Sequence, residues 1–207
     1  PLTVQSSGQF DNRGGTLVSE DSMQVRVGAI ANNQGTIQSA GGMRISGASL
    51  DNRAGRVTSL NGDGLSIATT GQLINAAGTT ATGAQGGLIG GNGGVNVQGG
   101  TIINQGVITA NTDLHVTGQA VDNSGGSLKA AQSVTVDAGA RLSNANGMIV
   151  GQSATVNGTD LVNHNGVITQ TGTGPIAVNV SGTLDNSQGG TLQTNSTDLT
   201  LAPATLL

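Results

Sequence analysis

Pairs of apolar residues that flank a single polar or small residue recur along the whole chain. Because alternate residues of a strand point to opposite faces, this period of two indicates β-strands with one buried face and one solvent-facing side. The nine pairs are Met23/Val25, Met43/Ile45, Leu65/Ile67, Val95/Val97, Leu114/Val116, Val134/Val136, Ala154/Val156, Ile176/Val178 and Leu199/Leu201.

Two further landmarks keep phase with these pairs. An apolar residue, a variable residue and an asparagine recur nine times, at intervals of 20, 20, 23, 29, 19, 21, 19 and 23 residues. A glycine, a variable residue and an aliphatic residue usually follow, as in Gly15-Thr16-Leu17 and Gly166-Val167-Ile168. The nine asparagines are Asn12, Asn32, Asn52, Asn75, Asn104, Asn123, Asn144, Asn163 and Asn186.

A repeat of about 20 residues with short strands, glycines at the bends and no helical period is typical of a parallel β-solenoid. The sequence therefore predicts an all-β fold, a parallel β-helix of about nine to ten coils with about 20 residues per coil. The general rule for parallel crossovers makes this helix right-handed. With coils stacked at the strand spacing of about 4.8 Å, the rod is roughly 45 Å long.

The recurring asparagine has two interpretations. Its side-chain amide can bond the amides of the coils above and below, as stacked amides do in cross-β structures. Alternatively, asparagine is simply a good turn residue that tolerates a left-handed bend. Alternation places it on the same side as the anchor aliphatic residue, so we predict one stacked column of amides with a spacing near 4.8 Å.

Residues 1–207 are predicted to form a single β-helical repeat segment. Coil four is longer than the others, and removing residues 78–86 restores the phase, so these nine residues are predicted to be a flexible loop insertion. The chain begins and ends inside a repeat without evident polar caps, which solenoids need to protect their ends. We therefore interpret it as an excerpt from a longer rod.

The composition narrows the classes of function. Only 9% of the residues are charged, the net charge is −4, and there is no cysteine, tryptophan or tyrosine. The acidic balance argues against nucleic-acid binding, and no apolar run approaches the ~20 residues of a membrane span, so membrane insertion is not expected. The absence of cysteine excludes disulfides and thiolate metal sites.

Because β-helices include polysaccharide lyases and hydrolases, the carboxylates need a test. Asp11, Asp51, Asp122 and Asp185 share one outward phase, but the closest two lie two coils apart, or ~10 Å. A retaining glycosidase needs about 5 Å between its two carboxyl groups. Same-phase pairing therefore fails, whereas pairs across different phases stay open.

The remaining candidates for chemistry are two histidines and two glycine-rich stretches. His115 lies between inward residues and His164 follows an anchor asparagine, so both are expected to be isolated at the surface. The stretches at 61–64 and 90–94 lack the repeated calcium-binding pattern and the lysine of a phosphate loop. We expect no catalytic residue, no cofactor and no metal site, and the chain is not predicted to be an enzyme.

Two repeats carry a family resemblance. Leu50-Asp51-Asn52-Arg53-Ala54-Gly55-Arg56-Val57 and Leu184-Asp185-Asn186-Ser187-Gln188-Gly189-Gly190-Thr191-Leu192 resemble the filamentous haemagglutinin repeats of Gram-negative two-partner secretion exoproteins. This family includes adhesins and contact-dependent growth inhibition effectors. The resemblance implies a right-handed β-helical stalk, secreted to the bacterial cell surface, with no counterpart here of the secretion domain or of a toxin domain.

The same resemblance implies partners for the parent protein. These are an outer-membrane two-partner secretion transporter and a receptor on a host or a neighbouring bacterium, with the segment itself a monomeric rod. The expected function is a structural stalk that presents a distal adhesin or toxin domain. A direct carbohydrate- or receptor-binding adhesin segment is the alternative, and a polysaccharide-active enzyme is a further one.

Overall fold

The computed structural model describes all 207 residues, and its regular secondary structure consists of 27 β-strands without a helix. The strands are β1 (Leu2–Gln5), β2 (Gln9–Asp11), β3 (Thr16–Ser19), β4 (Met23–Arg26), β5 (Ala29–Ala31), β6 (Thr36–Ser39), β7 (Met43–Gly47), β8 (Ser49–Asp51), β9 (Arg56–Ser59), β10 (Leu65–Thr69), β11 (Gln72–Asn75), β12 (Gly78–Thr80), β13 (Gly83–Gln85), β14 (Leu88–Gly91), β15 (Val95–Asn104), β16 (Val107–Ala110), β17 (Leu114–Asp122), β18 (Ser127–Ala130), β19 (Ser133–Ser143), β20 (Met148–Gly151), β21 (Ser153–Gly158), β22 (Asp160–Val162), β23 (Val167–Gln170), β24 (Ile176–Val180), β25 (Thr183–Asp185), β26 (Thr191–Gln193) and β27 (Thr205–Leu206).

Strands in equivalent places of successive repeats pair side by side and in parallel. Met23 is opposite Met43, Leu50 is opposite Leu73, and Val57 is opposite Ile37. Every strand pair follows this pattern except β12 with β13. Each repeat is therefore one coil stacked on the next, which confirms the predicted parallel β-helix of nine to ten coils.

Each coil contributes strands to two long sheets. The nine-stranded sheet, from β3 to β26, contains the segments that follow the recurrent glycine. The sixteen-stranded sheet contains both the alternating-pair strands and the strands that lead into the recurrent asparagine. β15, β17 and β19 run through both parts without a break, so the sixteen-stranded sheet bends around one corner of the coil.

The core is a stack of aliphatic columns inside the coils. A single cluster of 34 buried residues contains, from most coils, both members of the alternating pair, the anchor aliphatic and the aliphatic after the glycine. Ile37, Val57 and Ile89, neighbours in one column, are 0% exposed. Since each layer is only one strand spacing thick, small aliphatic side chains fill it and aromatic residues are not needed.

The predicted insertion at residues 78–86 of coil four contains a short β-hairpin. Residues 78–80 pair in antiparallel fashion with residues 83–85, and Gly83 has a φ of 117° at the turn. The main helix continues undisturbed on both sides, because Leu73 is opposite Ile102. The prediction missed the hairpin because this segment has no apolar alternation; its polar groups are satisfied by local pairing.

Candidate functional site

The nine recurrent asparagines lie in one column inside the coils. In the first eight, the side-chain Nδ2 donates a hydrogen bond to the Oδ1 of the asparagine in the next coil, with N···O distances of 2.7–2.8 Å. The column begins at Asn12 and runs without a gap to Asn186. All eight donors point toward the carboxyl-terminal coils, so the amides form one continuous chain with a single direction.

Each amide also uses its second hydrogen. Nδ2 donates to a main-chain carbonyl of the neighbouring coil at 3.0–3.3 Å, as Asn32 does to Arg56 and Asn104 does to Ser127. The seven asparagines from Asn32 to Asn163 are 0% exposed. A buried amide is costly unless its donors and acceptor are satisfied, and here the column and the adjoining turn satisfy them.

The chain turns immediately after each asparagine. In most coils the glycine three places later donates its backbone N–H to the asparagine's main-chain oxygen, at 3.0 Å for Gly35 to Asn32. The positive φ of this turn lies two places after the asparagine, at 57° for Gln34 and 53° for Ala54. None of the nine asparagines has a positive φ, so the left-handed bend considered for them belongs to a different residue.

The glycine of this turn is required by the column itself. A Cβ on Gly55 would overlap both the carbonyl oxygen of Asn32 in the previous coil and the Oδ1 of Asn52 in its own coil. The same two kinds of oxygen crowd Gly35 and Gly166. Asparagine and glycine are therefore coupled, because the close approach that allows the amide contacts leaves no space for a side chain at the glycine.

Gln170 is a buried site residue that the repeat pattern did not reveal. It is 0% exposed and stands where other coils have small residues such as Ser39 and Ser59. Its Nε2 lies within hydrogen-bond distance of the carbonyl oxygens of Gln152 (3.1 Å), Gly172 (2.5 Å) and Gly174 (2.6 Å), which share its two hydrogens. The sequence signal was the large polar residue at a small-residue position, which the search for repeated features passes over.

The expectation that both histidines are isolated is wrong. The Nε2 of His115 lies 2.7 Å from an oxygen of Asp137, and the Nε2 of His164 lies 2.7 Å from an oxygen of Asp185. In each pair the aspartate belongs to the next coil. His115 is opposite Thr135 in the ladder and meets a residue two places further along, which is the usual diagonal contact between neighbouring strands.

Hydrogen bonds to these carboxylates shift their acidity. Burial raises the pKa of Asp137, but hydrogen bonds from Asn157 and His115 outweigh it and the net shift is downward. For Asp185, hydrogen bonds from Ser187 and then His164 lower the pKa from 3.8 to about 2. Both carboxyl groups are therefore ionised near neutral pH. A general acid, in contrast, must carry a proton at the pH of the reaction.

The four outward aspartates of the shared phase have no acidic neighbour in their column. Asp51 lies between Ala31 and Ile74, and Asp122 lies between Ile103 and Ser143. No group of three or more histidine, cysteine, aspartate or glutamate side chains is placed to hold a metal ion. No helix is long and apolar enough to cross a membrane.

Comparisons with known proteins identify the repeat. The model of the haemagglutinin repeat matches residues 1–77 and 171–202, just over half of the chain. The tRNA nuclease CdiA-2 of Burkholderia pseudomallei (strain 1026b) is 51% identical over 164 residues, covering 70% of this chain and 5% of that protein. No solved structure matches. Because this family model matches more than half of the chain, the chain belongs to the haemagglutinin repeat family.

Proposed function

We propose that this chain is a rod segment of a much larger secreted exoprotein of a Gram-negative bacterium, exported by an outer-membrane two-partner secretion transporter. Its role is to hold a distal adhesin or toxin domain away from the cell surface. The relative is named a tRNA nuclease, and the matched region is 5% of its length. We assign the present chain to the rod and not to a nuclease activity.

The observation that carries this proposal is the uninterrupted coil-to-coil bonding. The amide column passes through nine coils, and parallel strand pairing accompanies it on both long sheets. Interior coils therefore have their backbone groups satisfied by their neighbours, and stability is added coil by coil. Each coil extends the rod by about 4.8 Å, so length can be gained without a new fold.

The placement of the acidic groups also supports a rod that carries out no reaction. Catalysis by paired carboxyl groups needs both groups close to one bond of the substrate. The aspartates of the shared phase are separated by non-acidic rungs, and the two histidines are bonded to aspartates in pairs. These pairs join adjacent coils, so their role in this proposal is to stabilise stacking.

The test exchanges coils within the full-length exoprotein. One variant lacks residues 13–52, which removes two coils in phase, and a second variant restores the length with two other haemagglutinin-repeat coils joined in the same phase. We expect both to be secreted and protease-resistant, with the first rod about 10 Å shorter in electron micrographs. Delivery by the distal domain should depend on the number of coils and not on their sequence.

A deletion of ten residues within one coil serves as the control, and it should abolish folding and secretion because a half-length coil cannot place strands on both long sheets. If the length-restored variant is secreted and folded but no longer delivers its distal domain, the length of the rod does not account for the role of the segment. That outcome would contradict the rod assignment.

A further inference from the structure

A groove runs along the surface of the rod. It has a volume of about 1520 Å³ and follows the corner where the sixteen-stranded sheet bends. It extends from Gln5 in the first coil to Asn157 in the eighth. At one strand spacing per coil, the groove is about 34 Å long and parallel to the rod axis.

One side of the groove is a ladder of side chains, one from each coil. They are outward residues of the alternating-pair strands, each directly opposite the next in parallel register. The central members are Ser46, Ala68, Gln98 and Thr117. Any ligand lying along this side meets a new side chain at every 4.8 Å or so.

The chemistry of the lining is polar and nearly uncharged. Of the 22 lining residues only Arg26 and Asp137 carry charge, of opposite sign, and four are hydrophobic. The side-chain amides of Gln98 and Gln119 are exposed and bond no other protein group, so they are free to bond a ligand. A Cβ on glycines such as Gly28 and Gly100 would overlap the previous coil, so these positions line the groove without a side chain and the polar ladder provides its hydrogen-bonding groups.

We infer that this groove binds an extended, neutral, β-1,4-linked polysaccharide chain. Each hexose of such a chain advances by nearly one coil spacing and is turned over relative to the one before it. Each sugar can therefore lie beside one coil, and sugars two apart present the same edge to the groove. Sugar hydroxyls both donate and accept hydrogen bonds, which matches a lining of amides and hydroxyls. The groove thus gives the rod a side surface for a glycan in addition to its role as a spacer.

The other linear polymers fit less well. An extended peptide repeats its side chains on one face about every 6.6 Å, so it loses phase with the coils within two or three rungs. A single-stranded nucleic acid needs a basic groove with aromatic platforms. Here the net charge of the chain is −4, and Arg26 is the one cationic residue in the groove.

Isothermal titration of the 207-residue chain with cellohexaose, chitohexaose and β-1,4-mannohexaose tests the inference, with maltohexaose and a heparin hexasaccharide as comparison ligands. We expect at least one β-1,4-linked hexaose to bind more tightly than both comparison ligands. Replacing both Gln98 and Gln119 with alanine should weaken that binding roughly tenfold or more, since each amide loses its hydrogen bonds to the sugar.

Two bulky substitutions separate the groove from the rest of the surface. Ala68→Tyr fills the groove and should abolish binding, whereas Thr109→Tyr, on the outward face of the nine-stranded sheet, should leave it unchanged. Circular dichroism checks that both variants keep the β-helix. The inference is overturned if no β-1,4-linked hexaose binds, if heparin or maltohexaose binds as tightly, or if the two tyrosine variants have equal effects.

Discussion

Truncating one asparagine in the middle of the column should be severely destabilising. Asn104 accepts a hydrogen bond from Asn75 (2.8 Å) and donates to Asn123 (2.7 Å) and to the carbonyl of Ser127 (3.1 Å). Asn104→Ala removes all three bonds. It leaves an N–H of Asn75 and the Oδ1 of Asn123 without partners at positions that are 0% exposed.

The magnitude follows from those two stranded groups. A buried donor or acceptor left without a partner costs about 1–3 kcal/mol, so the two together lower the free energy of unfolding by about 2–6 kcal/mol. Asn96→Ala is the matched control, because Asn96 is exposed on β15 and its side chain bonds no protein group. A surface substitution of that kind changes stability by about 0.5 kcal/mol or less.

Urea unfolding followed by far-ultraviolet circular dichroism measures the free energy of unfolding of both variants. The slope of this free energy against urea concentration is compared to check that unfolding stays cooperative.

The variant Asn104→Asp tests the column through the pH dependence of stability. Its carboxylate can accept but not donate, whereas the protonated form regains one donor. Burial raises the pKa of this carboxyl, so the penalty is small at low pH and grows as the pH rises above the unfolded value near 4.

For Asn96→Asp, the loss of stability should not increase as the pH rises. Two results would refute the reasoning: a loss below about 1 kcal/mol for Asn104→Ala, or the same pH dependence for the aspartate variants at positions 104 and 96. Either would mean that strand pairing alone holds the coils and that the amide column adds little.

Three further predictions concern the turn, the insertion and acid stability. Gly55→Ala should lower the free energy of unfolding by about 2 kcal/mol or more through overlap with two oxygens, whereas Gly62→Ala, where a Cβ meets nothing within 4 Å, should be nearly neutral in urea melts. Deleting residues 78–86 should leave the circular dichroism spectrum β-rich and the melting temperature nearly unchanged; loss of the fold would show that the hairpin packs as part of the core. Because the pKa of Asp185 is lowered to about 2, its ionised form stabilises the fold above the unfolded value of 3.8, and this contribution disappears as the pH falls from about 4 to 2. Asp185→Asn should therefore flatten the acid limb of stability against pH, and an unchanged slope would contradict the assignment.

The regular part of the fold could be predicted because a solenoid has translational symmetry. Once Leu50 and Leu73 occupy the same phase of two successive repeats, parallel pairing places them opposite each other, as observed. The same reasoning aligns the pairs Met23/Val25 and Met43/Ile45. A single rule, applied nine times, therefore fixes the strands, the core columns and the relative positions of the recurrent asparagines.

Features that occur once could not be obtained in that way. The hydrogen bond between His115 and Asp137 joins positions two residues out of register, so it depends on the direction in which both side chains lean along their strands. The contacts of Gln170 depend on an irregular turn at residues 172–174 that no other coil repeats. Such contacts need the actual path of the backbone, which periodicity does not specify.

The recurrent asparagine and the glycine that follows it also explain why other positions of the repeat vary. The carbonyl oxygen of Asn32 and the Oδ1 of Asn52 leave no space for a Cβ at Gly55, so the asparagine and the glycine constrain each other across a coil boundary. The residue two places after the asparagine, which adopts positive φ, is under a weaker constraint: Ala54 and Gln34 both occupy it. Outward residues of the strands touch neither the column nor the core. They are free to change, and a groove that differs chemically from its surroundings can arise on the rod while the coils beneath it stay the same.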